Sequence, residues 1–522
     1  MKIVNKKINL ISKKKILSIM AIFEISSSFE FWTLLWGLLF CSPLIWCGII
    51  LISILVGVDQ SKIFLLGLWC SASSFVLSIL LFYFFINIPK NTNFPFAYGI
   101  DLFFFPFKKI SFLIGVDSLS FLFVLLTNLF IYLCIFHLYH TINKRVDILF
   151  YLFILQFGLI GAFCVFDILG FFIFFETTLI PIFLIILIFG SRERKVRASY
   201  MIAVYTLFGS IFLLFNILYL YSKIGTTDYY QLLICEFNST DQKFLWITFF
   251  IAFAAKIPML PLHVWLPEAH VEAPTIGSVL LAALLLKLGT YGIVRFLISL
   301  FPEATLYFSP IINVFAILSI LYTSLTALRQ IDLKKIIAYS SVGHMNAVLL
   351  GLLVFSVENI EGAIFQMISH ALVSGALFFC VGSFYLRYKV RSLDYFGGLM
   401  TTYPLLSIIF MIFSMANISF PGTSNFIGEF MICFGLYNHN PSIVLLASLN
   451  MIIGAAYTLW AYNRVSFGNI KNLYLTYHFD IKRDEFYLYS LLIFLMLLLG
   501  IYPSIILNPL HELVTFIIYG NV

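Results

Sequence analysis

The sequence contains very little charge. Only 11% of its 522 residues are charged, whereas 62% are hydrophobic and 18% are aromatic. Soluble domains ordinarily carry about 25% charged residues, so this composition excludes a soluble protein and is typical of a polytopic membrane protein. The sequence predicts an all-α fold, because helices satisfy their own backbone hydrogen bonds in lipid.

Redox and nucleotide motifs are also missing. The eight cysteines are scattered and include no CxxC pair, which excludes iron–sulfur and zinc sites of the usual spacing. No glycine-rich loop follows a strand pattern, so the chain has no known NAD or flavin fingerprint. His137 and His140 form an HxxH pattern at a helix end, and we interpret them as interfacial side chains rather than metal ligands. We expect no cofactor and no metal site.

Apolar runs of membrane length recur along nearly the whole chain. A length of about 20 residues per span predicts about fourteen helices and leaves no room for a separate soluble domain. The predicted helices begin near Phe31, Ile63, Phe112, Ile148, Ile168, Ala198, Phe244, Ile276, Ile311, Ile336, Gly362, Pro404, Ile443 and Phe486.

Positive charge is concentrated in five predicted loops. These loops follow the third, fifth, ninth, eleventh and thirteenth helices: 143–145, 192–197, 329–335, 387–391 and 471–483. The positive-inside rule places them on the cytoplasmic or matrix face, with both termini on the other side. Arg192, Arg194 and Arg197 are expected at the loop surface near lipid headgroups. The six lysines among the first fifteen residues favour the opposite placement of the N-terminus, and an additional helix over 16–23 would change the count.

Two Pro-containing breaks interrupt helix-length segments. The first is the Pro- and His-rich stretch from Ile257 to His270, and the second runs from Phe420 to Glu429. Their positions about five helices apart predict two inverted five-helix repeats; unrelated proline kinks are the alternative. The predicted organisation is an N-terminal extension (1–30), N-terminal helices (31–138), two repeats (147–300 and 309–466), and a final loop, last helix and C-terminus (467–522).

Two lysines, Lys256 and Lys287, interrupt apolar segments beside the first break. A cation near the bilayer centre costs roughly 2.5–3.5 kcal/mol on insertion scales, so such residues indicate a functional path by default. Glu176, flanked by phenylalanines, is a candidate partner of Lys256. The pair could exchange a proton, or it could be a static ion pair.

Other ionisable side chains continue the series. His344 and His370 are either relays or hydrogen-bonded core histidines, and Glu429 ends the second break. Asp167 is either a helix-end group or a proton uptake point. The candidate site residues are Glu176, Lys256, Lys287, His344, His370 and Glu429, which together predict a proton path of tunable groups bridged by water.

Three long motifs carry a resemblance to a known family. They are Lys256-Ile-Pro with PLHVWLPEAHVEAPTIGS (261–278), DLKKIIAYSSVGHM (332–345) and FQMISH (365–370). The chain resembles the antiporter-like proton-translocating subunits of NADH:ubiquinone oxidoreductase (respiratory complex I) and of multisubunit cation/proton antiporters. The resemblance runs from about Gly115 to about Arg464. Some family members carry a lysine in the second broken helix and others a glutamate, as here at Glu429.

The resemblance implies roles for the candidate residues. Glu176 and Lys256 would form a coupled pair, Lys287 the central proton site and Glu429 the exit-side carboxyl, with the two histidines between. It also implies, as partners, other membrane-arm subunits of complex I (the neighbouring antiporter-like subunits 2 and 5), lipids and protons, but no nucleic acid.

Three functions are compatible with the sequence. The first is a complex I membrane-arm subunit that pumps protons while redox chemistry occurs elsewhere. The alternatives are a subunit of a multisubunit cation/proton antiporter and a helix scaffold that anchors quinone; the two deep lysines argue against the scaffold. Abundant Phe, Ile, Asn, Lys and Tyr are typical of a protein encoded by an AT-rich genome, such as that of an organelle. This composition favours the mitochondrial inner membrane, with a bacterial plasma membrane as the alternative.

Overall fold

The computed structural model describes residues 32–87, 96–102, 110–140, 146–471 and 479–519. The predicted lysine-rich extension and the possible helix over 16–23 lie outside these residues. Eighteen helices of at least six residues make up most of the described chain. They are α1 Trp32–Leu55, α2 Gln60–Asn87, α3 Ser118–Tyr139, α4 Asp147–Cys164, α5 Ile168–Phe189, α6 Lys195–Ile224, α7 Tyr229–Ile234, α8 Ser239–Lys256, α9 Trp265–Glu272, α10 Thr275–Ile298, α11 Pro302–Leu328, α12 Leu333–Leu352, α13 Val357–Tyr388, α14 Pro404–Asn417, α15 Ser424–His439, α16 Pro441–Ser466, α17 Arg483–Ile501 and α18 Ser504–Tyr519.

The all-α prediction is confirmed, whereas the number of spans differs. Among the described residues, 11 helices are long and apolar enough to cross a membrane. Three predicted spans, α8, α12 and α14, are not among them, because α8 and α14 end at the breaks and α12, although 20 residues long, contains many polar residues. The core is formed by α10 and α13, since the most apolar stretch of each is completely buried.

Two predicted helix starts are displaced. α11 begins at Pro302 rather than near Ile311. Phe112 lies in a two-stranded antiparallel hairpin, β1 Phe96–Leu102 and β2 Ile110–Val116, and α3 begins only at Ser118. Asp117 sets that start, because its carboxylate accepts from Ser120 N and the Ser120 hydroxyl accepts from Asp117 N, both at 2.9 Å. A short apolar run such as 110–116 is compatible with either a strand or a helix on periodicity alone.

The described parts of the loops after α3, α5, α11, α13 and α16 meet at one end of the bundle, which we call the basic end; the predicted basic residues 143–145 and residues 472–478 lie outside the described chain. Their contacts are Arg391 with Ser191, Asp332 with Ser392, Lys471 with Asp394, and His140 with Asp484 at the start of α17. The basic loops therefore share one face, as the charge pattern predicts.

Some of the charges predicted at the surface of these loops are buried instead, two of them in helices. Lys334 lies in the first turn of α12 and is 3% exposed. Arg387 lies in the last turn of α13, where Glu485 pairs with it at 2.7 Å, and Arg391 is also buried. By contrast, the arginines of 192–197 are exposed, as expected. The charge pattern assigned too many residues to the loops, because residues at the ends of helices at a membrane face also carry charge.

The first broken segment is held by side chains from neighbouring helices. After α8 ends at Lys256, Trp265 donates through its indole N–H to Ala255 O at 2.9 Å. The Ser319 hydroxyl accepts from Leu260 N at 3.0 Å, and the Asn346 amide donates to Pro258 O at 3.4 Å. Backbone groups that the break frees are thus paired inside protein, as irregular backbone at membrane depth requires. The later part of the predicted break, from Trp265, is helical.

The two broken segments run in opposite directions. α6 starts at the basic end and its 30 residues span about 45 Å, so α8 starts at the opposite end. α9 returns to the basic end, where Arg391 donates to Val271 O. α14 instead starts at the basic end, because Leu405 N donates to Asp480 at 2.9 Å. Opposite directions are what inverted repeats require; the residue boundaries of the repeats stay a prediction.

An aromatic cluster fills the region between Lys287 and the opposite end. It surrounds a buried ion pair between Arg295 of α10 and Asp117. The Arg295 guanidinium lies 4.9 Å from the ring centroid of Phe166, 5.7 Å from that of Tyr229 and 5.5 Å from that of Tyr291. Phe163, Phe171 and Phe296 complete the cluster. Its rings pack in the edge-to-face and stacked geometries that aromatic side chains prefer.

Candidate functional site

Lys287 lies in a helix with unusual local geometry. The α10 helix widens to π-helical turns at Leu281–Leu285 and Ile293–Ile298, on either side of this lysine. The Lys287 ammonium donates to Ala282 O at 2.5 Å, five residues earlier. Such π-turns leave carbonyl groups free for side chains and often occur at functional sites. The widening therefore gives a fully buried cation a backbone partner.

A row of side chains leads from Lys287 to Glu429. Lys287 Nζ lies 2.9 Å from Nδ1 of His370, and the ring centroids of His370 and His344 are 5.6 Å apart. His344 Nδ1 in turn lies 2.7 Å from Oε1 of Glu429. All four residues are at most 5% exposed. The structure thus brings four of the six candidate residues together in one buried row.

The spatial order of the row differs from the chain order. His370 of α13 contacts Lys287, while His344 of α12 contacts Glu429 of α15. The two histidines are therefore exchanged relative to their positions in the sequence. Chain order gave no information on this point because α12 and α13 are antiparallel neighbours that both reach the centre of the bundle.

The remaining two candidates lie apart from each other. Lys256 is buried, and its ammonium is 3.5 Å from Phe175 O and 3.9 Å from the centroid of the Phe175 ring. Glu176 is only half-buried. Its carboxylate does not come within 4.0 Å of the Lys256 ammonium, the distance that defines an ion pair. Their charges still attract each other. Glu176 and Lys256 therefore interact at a distance, and the direct contact of the Lys256 ammonium is the backbone carbonyl of Phe175, the residue before Glu176.

Glycine at position 289 brings the two lysine-bearing helices together. A Cβ at Gly289 would lie 2.7 Å from the Ile257 side chain and 3.0 Å from Phe253 O. Any larger residue would therefore separate α10 from α8. The same Cβ would be 3.2 Å from Cβ of Lys256, so the chain positions of Lys256 and Lys287 are close across this contact.

Sequence reasoning missed a buried polar group near the basic end. Lys334 donates to Ala273 O at 2.7 Å and to the Ser278 hydroxyl at 3.2 Å. His270, fully buried, stacks on Phe378 with 4.6 Å between centroids and 3° between planes. Both residues lie within the quoted motifs, but Lys334 was assigned to a loop and His270 to the break. The apolar run over residues 336–338, which follows Lys334 and Lys335, was the available signal.

Asp167 is a helix-end group in the structure. Its carboxylate caps α5 by accepting from Gly170 N at 2.9 Å. It lies just outside the span, opposite Asp228 in an isolated backbone bridge. Burial raises the pKa of Asp167 to about 6 and also raises the pKa of Asp228. Proton uptake at Asp167 stays a hypothesis.

Metal-binding geometry is absent from the described part of the chain. No group of three or more His, Cys, Asp or Glu side chains there could hold a metal ion. All eight cysteines are described and none forms a disulfide.

The chain is similar to known proteins over most of its length. The family described as NADH:quinone oxidoreductase/Mrp antiporter, TM, matches residues 166–454. The protein named NADH-ubiquinone oxidoreductase chain 4 of Marchantia polymorpha is 47% identical, with 86% of this chain and 90% of that protein covered. The protein of the same name from Arabidopsis thaliana is 46% identical, with 91% and 96% covered.

Solved structures share the fold. A chain of respiratory complex I from Thermus thermophilus, with bound NADH, superposes with a TM-score of 0.81 at 28% identity, covering 92% of this chain and 99% of that chain. A chain of the Mrp complex from Dietzia sp. DQ12-45-1b superposes with a TM-score of 0.79 at 18% identity, covering 92% and 98%. The second similarity concerns the fold alone.

Proposed function

This chain belongs to the NADH:quinone oxidoreductase/Mrp antiporter family, and we propose that it is the chain 4-type subunit of the membrane arm of NADH:ubiquinone oxidoreductase. It translocates protons across the membrane while other subunits transfer electrons from NADH to ubiquinone. The chain contributes to the enzyme as a translocase and carries no redox centre of its own.

The buried row from Lys287 to Glu429 is the observation that supports this function. A charged Lys287 can only donate, so Nδ1 of His370 accepts from it; an ionised Glu429 can only accept, so Nδ1–H of His344 donates to it. A proton arriving at His370 Nδ1 can then be balanced by loss of a proton from Nε2 of the same ring. An equivalent exchange at His344 delivers a proton to Glu429. Each imidazole thus works as a two-sided relay.

Lys256 and Glu176 control the charge next to this row. Lys256 is adjacent to the helix of Lys287 across the contact at Gly289. Two nearby cations in a medium of low dielectric constant repel each other, so a Lys256 that moves toward Glu176 favours a charged Lys287. When Lys256 moves back, Lys287 is favoured to release its proton toward His370. The Glu176–Lys256 attraction therefore acts as a switch on the central lysine.

The assembly and membrane follow from the same proposal. The partners are other membrane-arm subunits, with the antiporter-like subunits 2 and 5 as neighbours. The membrane is the mitochondrial inner membrane, and the basic end faces the matrix. The residue composition and the relatives from plants support this placement over a bacterial plasma membrane.

A cation/proton antiporter subunit is the alternative function. The shared fold with the Mrp complex supports it, but at 18% identity that similarity is less specific than 47% identity to a chain 4 protein. Native gel electrophoresis separates the two. Complex I membership predicts that the chain migrates in a very large band that oxidises NADH, and an antiporter subunit would migrate in a band without this activity.

The proton-transfer role is tested by Lys287→Ala in the assembled complex. We expect NADH:ubiquinone activity and proton uptake into inside-out vesicles to fall together, because the row loses its first proton donor. The amount of assembled complex on a native gel serves as the control. Normal pumping per electron in a fully assembled variant would contradict the proposal.

A further inference from the structure

A glutamine lies against the Glu429 end of the row. Gln366 is fully buried on α13, one turn before His370. Its Nε2 donates to Glu429 Oε1 at 3.3 Å, the same oxygen that faces His344 Nδ1 at 2.7 Å. Gln366 and His344 therefore approach one carboxylate oxygen from two different helices, α13 and α12.

The amide of Gln366 is held in one orientation. Ser369 shares its single hydroxyl hydrogen between Gln366 O and Gln366 Oε1, each at 3.1 Å, and the contact with Oε1 leaves the NH₂ group directed to Glu429. Gly428 of α15 makes this position possible. A Cβ there would lie 2.5 Å from Gln366 Oε1 and 2.9 Å from its Cα. Gly428 thus provides the space, Ser369 orients the amide, and Gln366 donates the hydrogen bond.

The contacts at the two ends of the row set the hydrogen positions of the two histidines: Glu429 does so for His344, and Lys287 for His370. With Glu429 held at His344 Nδ1, the second nitrogen of His344, Nε2, has no hydrogen-bond partner within the described chain. Nε2 of His370 likewise has no partner there. The other nitrogen of that ring, Nδ1, faces Lys287. In the resting charge state, His370 then carries its proton on Nε2 and His344 has a free acceptor at Nε2. The two rings are complementary for transfer between them.

We propose that Gln366 is a positioning residue for this proton transfer: it holds Glu429 against His344 and thereby keeps the acceptor nitrogen of His344 available to His370. Gln366 does not itself carry the proton. The inference depends on the function proposed above, in which Glu429 receives the proton.

A double-mutant cycle tests the inference in the intact complex. Gln366→Met keeps the size of the side chain and removes the donor. We expect coupled turnover per assembled complex to fall at least about tenfold, the lower limit that corresponds to loss of one hydrogen bond to a charged group. The solvent deuterium isotope effect on turnover should rise, because proton transfer becomes slower than the other steps. In a Glu429→Gln background, Gln366→Met should have no further effect, since Gln366 acts through the carboxylate.

Gln156→Met is the matched control. Gln156 is a second fully buried glutamine, whose amide donates to Asn128 Oδ1 at 2.6 Å, and it does not contact the row. This variant should leave the isotope effect unchanged. The inference is overturned if Gln366→Met behaves like wild type, or if it slows both backgrounds equally, as a packing defect would. Normal turnover of Glu429→Gln alone would instead overturn the proposed role of Glu429.

Discussion

Glu429→Gln separates the hydrogen bonding of the row from its proton transfer. Gln has nearly the same size, and its Oε1 can still accept from His344 Nδ1, which lies 2.7 Å from the native carboxylate. Replacing the charged acceptor by a neutral one weakens a contact of roughly 1.5–3 kcal/mol, so the complex should still assemble. The amide cannot take up a proton, however, so His344 keeps a hydrogen-bond acceptor but loses the group to which it would transfer its proton.

The expected loss of turnover follows from that difference. Positioned acid–base groups contribute on the order of 10²–10⁴-fold to a proton transfer, so we expect coupled turnover to fall by at least about 10²-fold. Glu429→Lys restores a group that can titrate at this position and should retain a measurable part of the activity. The assay is NADH oxidation and proton uptake in inside-out vesicles, each divided by the amount of assembled complex.

A second Glu–His pair provides a matched control. Glu361 on α13 lies 2.8 Å from Nδ1 of His511, whose side chain is 61% exposed. Glu361→Gln is the same chemical change in a pair outside the row, and we expect it to leave pumping intact. If Glu429→Gln pumps normally in an assembled complex, Glu429 is not on the proton path and the relay drawn from the structure is wrong.

Three further predictions concern other parts of the chain. Lys256→Ala should lower NADH:ubiquinone activity and pumping together, which the same vesicle assay measures; unchanged pumping would exclude the switch. Because burial raises the pKa of Asp167 to about 6, the native state binds its proton more tightly than the unfolded chain, whose carboxyl titrates near 3.9. The thermal stability contributed by this group should therefore fall as pH rises from about 4 to about 6, and Asp167→Asn should abolish that part of the pH dependence of Tm. Protease added to inside-out vesicles should cut near Arg483, and protease added from the other side should leave this site intact.

The sequence was most informative about residues that are unfavourable inside a membrane. Lys256, Lys287 and Glu429 could be identified without a structure, because ionisable groups in apolar, helix-length segments have few structural explanations. The two breaks were identifiable for the same reason, since proline and glycine interrupt apolar runs there. Helix ends and short elements were less certain, as the strand Ile110–Val116 shows.

Contacts between distant segments could not be derived from a single sequence. Arg295 and Asp117 are separated by 178 positions along the chain, and neither has a local pattern that points to the other. Lys334 carries the charge of a loop residue but is buried at the start of α12. The position of Gln366 depends on Gly428, a residue on another helix whose missing side chain is informative only in three dimensions.

The aromatic cluster around Arg295 has an electrical consequence. Its rings and the paired charges of Arg295 and Asp117 fill the bundle between Lys287 and the opposite end, so we expect this part of the chain to insulate rather than to conduct protons. A membrane potential falls mainly across such dry layers, and each elementary charge that crosses 100 mV changes in energy by about 2.3 kcal/mol. A proton at Lys287 is therefore separated from the far compartment by this layer. A sideways step to Glu429 does no work against the field, so the potential acts on the steps that move charge along the membrane normal.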